Sequence, residues 1–455
     1  RRLGIAPQLL LQALAQLTEE MAKVAKIAGD HGISNLMLED VEQIRRELHD
    51  KVQAVRGGVK VICRIRPFVE DDDVEPGTFP AVEQVDQDTL KLITEKLSNE
   101  PDGGAPEVDA LDFGLAGSGS VPSNSSRRSN SKSKVAQAAN MFRFNGRVLG
   151  PKVGQEEVFG EVQGLVQSAI DGYNVLIAAA GTCGSGKSHT IFGPPFEKPG
   201  PGMPRERDWS GLTVRVANEL FAIQERDDWR AMLEVDLQVV EVRNQRTVDL
   251  LGKASRPELN ESRAGHLAFA GAMLLSNTGD NPFIEGACTR RVKDSRDFLR
   301  SLNSAFTASE GPYSAPKTPR TPASTASEAF ESHVLVMLHL TRTNRATGGS
   351  VRSKIVLADL APLSSPAAAS GATSREVSSA YSALEAVIKA SRRDGQTSAT
   401  SASRRKHVLG QMLRDCLSGN ARPVFLVTLS PHPEEKVHTS HSITFATALG
   451  GRSLK

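Results

Sequence analysis

The hydrophobic and polar positions of the chain fall into a polar, helix-like start, a long region of short apolar runs alternating with helical spacing, and four polar interruptions. The globular part begins at "GVKVICRIRPF" (58–68), an apolar run closed by Pro67, which reads as a buried strand. Further apolar runs of strand length are "NVLIAAA" (174–180), "MLEVDLQVVEV" (232–242), "HVLVMLHL" (333–340), "KIVLADL" (354–360) and "PVFLVTL" (423–429). Between several of them lie helical patterns such as "GQEEVFGEVQGLVQSAID" (154–171) and "VSSAYSALEAVIKA" (377–390). Strands alternating with helices predict an α/β fold, a sheet with helices on both faces.

Residues 1–56 are rich in Leu, Ala, Glu, Gln and Arg, and "GDHGIS" (29–34) breaks their pattern into two predicted helices. In the second, Val41, Ile44, Leu48, Val52 and Val55 recur every three or four residues and share one face. That stripe fits either a coiled-coil neck or an amphipathic helix packed on the chain's own domain. The polar interruptions are 100–138, 308–328, 363–375 and 391–406, too poor in apolar residues to build a core and expected as long surface loops.

A chain of 455 residues with 39% hydrophobic content can bury a large core, and its formal charge of +2 gives no reason to expect nucleic acid. No apolar run reaches the roughly 18 residues of a membrane span, and the start does not read as a secretory signal. The four cysteines, Cys63, Cys183, Cys288 and Cys416, form no C-x-x-C pair and read as reduced, mostly buried thiols.

Candidate chemistry enters with "AAAGTCGSGKSHTIFG" (178–193), which follows a predicted strand and contains the pattern G-x-x-x-x-G-K-S. Backbone amides of Gly181, Thr182, Cys183, Gly184, Ser185 and Gly186 can cradle phosphates, Lys187 can neutralise their charge, and the Ser188 hydroxyl can ligate magnesium. The alternative is a relic loop that no longer binds.

Beyond this loop, 58–450 resembles the kinesin motor domain. The segment "MFRFNGRVLGPKVGQEEVFGEVQGLVQSAIDGYNVLIAAAGTCGSGKSHTIFG" (141–193) resembles, in order, the family's F-x-F-D-x-V-F, S-Q-x-x-V-F, G-Y-N and G-Q-T-G-S-G-K-T elements. "VKVICRIRPF" resembles its first strand with R-x-R-P, and "EVRNQRTVDLL" (241–251) resembles E-I-Y-N-E-x-x-x-D-L-L. "LGQMLRDCLSGNARPVFLVTLSP" (409–431) and "SITFATAL" (442–449) are similar to the family's closing helix, strand and helix. "ELHDKVQAVRGGVKVICRIRP" (47–67) resembles the neck-to-motor junction of kinesin-14, whose motor follows its coiled coil. The resemblance implies a kinesin-type P-loop NTPase with a central, mostly parallel sheet. It divides the chain into a helical neck (1–57), a motor domain (58–450) with disordered insertions near 100–138, 308–328 and 391–406, and a tail (451–455).

It also implies ATP or ADP as ligand, with Arg64, Arg66, Pro67 and His189 around the base, and Mg2+ held by Ser188 and, through water, Asp359. The elements that would read the terminal phosphate depart from the family. Its first switch, N-x-x-S-S-R-S-H, aligns with "ASEAFESH" (326–333), so Ala329 and Phe330 replace two serines and Glu331 the arginine. Its second, D-L-A-G-S-E, is "DLAPLS" (359–364): Pro362 replaces a glycine whose N–H senses the γ-phosphate, and Ser364 replaces the glutamate that pairs with the missing arginine. These losses fall on water positioning and transition-state charge, so weak or absent hydrolysis is expected.

By the same resemblance the partner is the microtubule, and the location the cytoplasmic cytoskeleton. Arg404, Arg405 and Lys406 stand in the loop that would meet tubulin and read either as a tubulin contact or as a solvated charge run. The neck would make a homo- or heterodimer. Three readings follow: a non-motile structural or tethering kinesin that binds nucleotide, a working but divergent minus-end-directed motor, and a pseudo-motor interaction module without tubulin binding.

Overall fold

The computed structural model describes residues 58–69, 72, 78–94, 138–194, 210–243, 245–255, 286–308, 332–363, 372–394, 407–417, 419, 421–450 and 452–454, with positions 16, 20, 23, 43, 44, 46 and 47 of the predicted neck. Almost all of the neck, the insertions 100–137 and 309–328, and the site positions Ala329, Phe330, Glu331, Ser364, Arg404, Arg405 and Lys406 lie outside the described residues.

The strands are β1 (Lys60–Ile65), β2 (Val82–Gln84), β3 (Thr89–Thr94), β4 (Ala138–Arg143), β5 (Val148–Leu149), β6 (Val175–Gly181), β7 (Ala231–Arg243), β8 (Arg246–Asp249), β9 (Arg290–Val292), β10 (His333–Asn344), β11 (Ser350–Asp359), β12 (Arg422–Leu429) and β13 (Arg452–Leu454). The helices are α1 (Gln155–Gly160), α2 (Gln163–Ile170), α3 (Lys187–Ile191), α4 (Leu212–Asp227), α5 (Leu250–Ser255), α6 (Ser295–Ala308), α7 (Ala372–Asp394), α8 (Val408–Met412), α9 (Arg414–Leu417) and α10 (Lys436–Leu449).

Among the described residues, one large sheet has the order β5-β1-β12-β6-β11-β10-β7-β8, with β9 also on β7. Strands β5, β1, β12, β6 and β11 are mutually parallel, and β10, β7, β8 and β9 continue it through antiparallel pairs. Each predicted apolar run is one of these strands. Every residue of β6 is buried, as expected of a central strand covered on both faces.

Alternation along the strands divides the core into two layers. Val61, Cys63, Leu176, Ala178, Met337 and Phe425 face the layer closed by α7, α8 and α10. Ile62, Val175, Ile177, Val336 and Leu426 face the layer closed by α1, α2, α4 and α6. The chain is thus an α/β sandwich of helices around one mixed sheet. The predicted helix at 154–171 is two helices, α1 and α2, broken after Gly160.

The polar stretches 363–375 and 391–406, expected as loops, yield residues 372–375 and 391–394 to α7. Buried Val377, Ala380, Tyr381, Leu384, Val387 and Ile388 give that helix a continuous apolar stripe, and packing carries it into flanks whose composition reads as loop. Residues 452–454, assigned to the tail, form β13 and pair with β4 at the edge of a second sheet, β13-β4-β3-β2. Two of the four cysteines, Cys63 and Cys416, are buried, Cys288 is half-buried and Cys183 exposed, so the expectation of mostly buried thiols holds for half of them.

Candidate functional site

Strand β6 delivers the loop 181–188 at the middle of the parallel half of the sheet, between β12 and β11. Three glycines shape it, with φ of 152° at Gly181, 70° at Gly184 and 96° at Gly186, the last in left-handed geometry at the start of α3. The loop is braced from inside: the Ser185 hydroxyl donates to Thr182 O at 2.8 Å and lies 2.7 Å from Thr428 Oγ1. A polyphosphate would meet a preformed cradle there.

The Lys187 ammonium is buried and donates to Thr182 O at 2.6 Å. Burial pulls its pKa below the ordinary lysine value, offset by the nearby Asp359, Cys183 and Glu435. The Ser188 hydroxyl donates to Asp359 Oδ2 at 2.6 Å, joining the two predicted magnesium positions. Hydroxyl and carboxylate oxygens suit a hard cation whose remaining ligands are phosphate and water, so the donor set fits Mg2+. Among the described residues no cluster of three or more His, Cys, Asp or Glu makes a protein-only metal site.

The base side is assembled around α1. Arg64 donates to Gln155 Oε1 at 3.0 Å and to Thr190 Oγ1 at 2.8 Å, and Gln155 Nε2 donates to His189 O at 2.6 Å and lies 3.1 Å from its Nδ1. Burial lowers Arg64 to about 10. Partial burial, then the Arg64 charge, holds His189 below the ordinary imidazole value, favouring a neutral ring. Arg66 is held by both oxygens of Asp72, at 2.5 and 2.7 Å, and its Cβ lies 3.9 Å from where a Gly186 Cβ would stand. Pro67 and His189 are exposed, whereas both arginines are committed to neighbours, so they frame a base more than they hydrogen-bond it.

The turn after Asp359 carries the most information. Leu360 N–H donates to Ala179 O at 3.1 Å, Ala361 N–H to His333 Nδ1 at 3.0 Å and Leu363 N–H to Gly181 O at 2.9 Å, and Pro362 has no N–H. Every backbone N–H from 360 to 363 is therefore spent within the protein or, at Pro362, missing.

Sequence reasoning missed Gln155, Asp72, Glu435 and Tyr381. Gln155 stood in the quoted "GQEEVF", whose helical start was readable, but its partner Arg64 lies 91 residues away and leaves no trace in the local pattern. Asp72 stands only six residues after Arg66, in a stretch with no recognisable motif, whereas Glu435 and Tyr381 reach the site across the fold.

His333 is buried, and burial with the nearby His407 lowers its pKa to about 3. His339, buried beside Lys354, is lowered likewise to about 3. Below the ordinary value of 6.5 the unfolded chain takes up protons that the native histidines refuse, so stability is full above that value and falls as pH drops toward 3. At pH 5.5 each histidine is expected to cost about 1.4 kcal/mol relative to neutral pH. Urea midpoints at pH 7.5 and 5.5 measure this, and equal midpoints would show that the two rings take up protons in the native state.

The family model for the kinesin motor domain matches residues 82–450. Kinesin-like protein KIN-14M of Oryza sativa subsp. japonica is 27% identical over 417 residues, 90% of this chain and 29% of that protein. Kinesin-like protein 2 of Schizosaccharomyces pombe is 27% identical over 446 residues, 96% of this chain and 46% of that protein. The chain thus spans less than half the length of these curated relatives.

Among solved structures, the C-terminal motor and motor homology domain of Kar3Vik1 fused to a synthetic heterodimeric coiled coil aligns with a TM-score of 0.64. Identity is 20%, covering 97% of this chain and 99% of that one. The motor domain of the Kar3-like kinesin from Ashbya gossypii gives 0.59 at 19% identity, over 86% and 99% of the two chains. At such identities the likeness bears on the fold.

Proposed function

Because the chain belongs to the kinesin motor-domain family and is related to its kinesin-14 members, we propose that it binds microtubules and holds ATP or ADP at loop 181–188 with weak or no hydrolysis, as a non-motile, structural or tethering kinesin. The cradle amides and Lys187 take the phosphates, Ser188 and Asp359 take Mg2+, and Pro67 and His189 flank the base. Bound magnesium would supply charge neutralisation between the phosphates.

The observation that carries this reading is the turn 360–363, whose backbone donors are all spent. A terminal phosphate finds none there to report its presence or to stabilise its transition state. Loss of one such preorganised donor lowers turnover by about 10² to 10³. The residues at 329–331 and 364 add to that loss by their chemistry, since phenylalanine donates no hydrogen bond and glutamate repels phosphate.

Arg404, Arg405 and Lys406 are the proposed tubulin contacts. The adjoining His407 is buried and lies 2.7 Å from Glu376 of α7. The segment 1–57 is proposed as a neck that pairs with a second copy or another kinesin. Ile44, on its predicted apolar stripe, is helical and 55% exposed, as a pairing face requires. The proposed location is the microtubule cytoskeleton of the cytoplasm; no described helix is long and apolar enough to cross a membrane.

The test is fluorescent ADP and ATP binding together with phosphate release, with and without microtubules. Saturable binding without microtubule-stimulated release is expected. Strong stimulation would overturn the reading in favour of a working motor, and co-sedimentation failure would favour an interaction module.

A further inference from the structure

Tyr381 sits in the buried stripe of α7, with its ring edge-on to Phe445 of α10 at 4.9 Å and 87°. Phe445 in turn meets Phe425 of β12 at 5.9 Å. A phenylalanine would satisfy this packing equally, so the hydroxyl has another role. A buried phenol oxygen without a partner is costly, and this one donates to Ala361 O at 2.8 Å. Ala361 is itself wholly buried, and its N–H is held from the other side by His333.

The turn that the phenol holds is itself bonded to the phosphate loop. One hydroxyl therefore joins α7 to the turn 360–363, and the turn in its own right is joined to the start of the phosphate loop. Leu363 N–H closes the circuit by donating to Gly181 O.

We propose that the Tyr381 hydroxyl is a latch that joins α7, the turn 360–363 and the start of the phosphate loop into one mechanical unit, making Tyr381 a positioning residue for the loop from behind it. Motion of α7 then reaches the loop through a named hydrogen bond instead of through general packing.

The test is Tyr381→Phe in the full chain, followed by amide hydrogen exchange without nucleotide. Peptides covering 360–363 and 377–388 are expected to exchange about tenfold faster together, with β1 and β12 unchanged. Dissociation of fluorescent ADP should quicken in the same variant. Unchanged exchange at both segments, or equal acceleration throughout the domain, would overturn the latch. Phe445→Leu, which removes the ring contact and keeps the hydroxyl, should instead loosen the domain without that paired signature. The exchange arm needs no ligand, so paired acceleration in a protein that failed to bind ADP would sink the nucleotide reading and leave the latch standing.

Discussion

Lys187→Ala is expected to weaken ADP binding by about 100-fold or more. The ammonium is buried within the loop, and its partner Thr182 O belongs to that same loop, so its charge is held where phosphate would arrive with little left to reorganise. Charge-assisted contacts in such a desolvated position are about twice as strong as neutral ones, and a loss of about 3 kcal/mol corresponds to roughly 100-fold in affinity. Burial already disfavours the charge, and Asp359, Cys183 and Glu435 offset that penalty. Removing the lysine leaves those carboxylates facing the phosphates uncompensated. Titration of fluorescent ADP against wild-type and variant protein measures the effect, and a weakening of less than about threefold would mean that the backbone cradle alone holds the nucleotide.

Gly181→Ala is expected to destabilise the domain by about 3 kcal/mol and to abolish nucleotide binding. A Cβ there would lie 2.4 Å from Thr428 O and 2.6 Å from Thr428 Oγ1, with φ at +152°. Neither neighbour can yield cheaply, because Thr428 is paired in register with Gly181 across β12 and β6. Gly184→Ala is the control: its nearest foreign atom, Glu435 Oε1, would lie 3.9 Å away, so only the positive φ of +70° opposes a side chain, at about 1 to 2 kcal/mol. Urea unfolding of the two variants distinguishes them. Equal costs would show that Gly181 is required for its backbone angle and not for space.

Much of the fold is legible in the sequence. Runs such as "NVLIAAA" and "PVFLVTL" announce central strands because both faces of such strands must be apolar. The helix at 377–390 was visible from its spacing, while its extension to Ala372 and Asp394 was not, since tertiary packing outweighs the loop-like composition of its ends. The candidate site was legible where chemistry is local: Gly181, Gly186, Lys187 and Ser188 are close in the chain and close in space. Asp359 could be placed beside them only by pairing β11 with β6.

Pro362 shows where the two sources of information divide. Its lack of an N–H follows from residue type alone. That Leu360, Ala361 and Leu363 are also spent depends on Ala179, His333 and Gly181, partners brought in by β6 and β10.

Local patterns of apolar spacing and glycine encode the central strands, the body of α7 and the phosphate loop, and so these are readable from the chain alone. The sheet order, the pairing of 452–454 with β4 and the meeting of Tyr381 with Ala361 come instead from long-range contacts. Buried polar groups must find partners wherever the fold brings them, and sequence spacing does not record those partners.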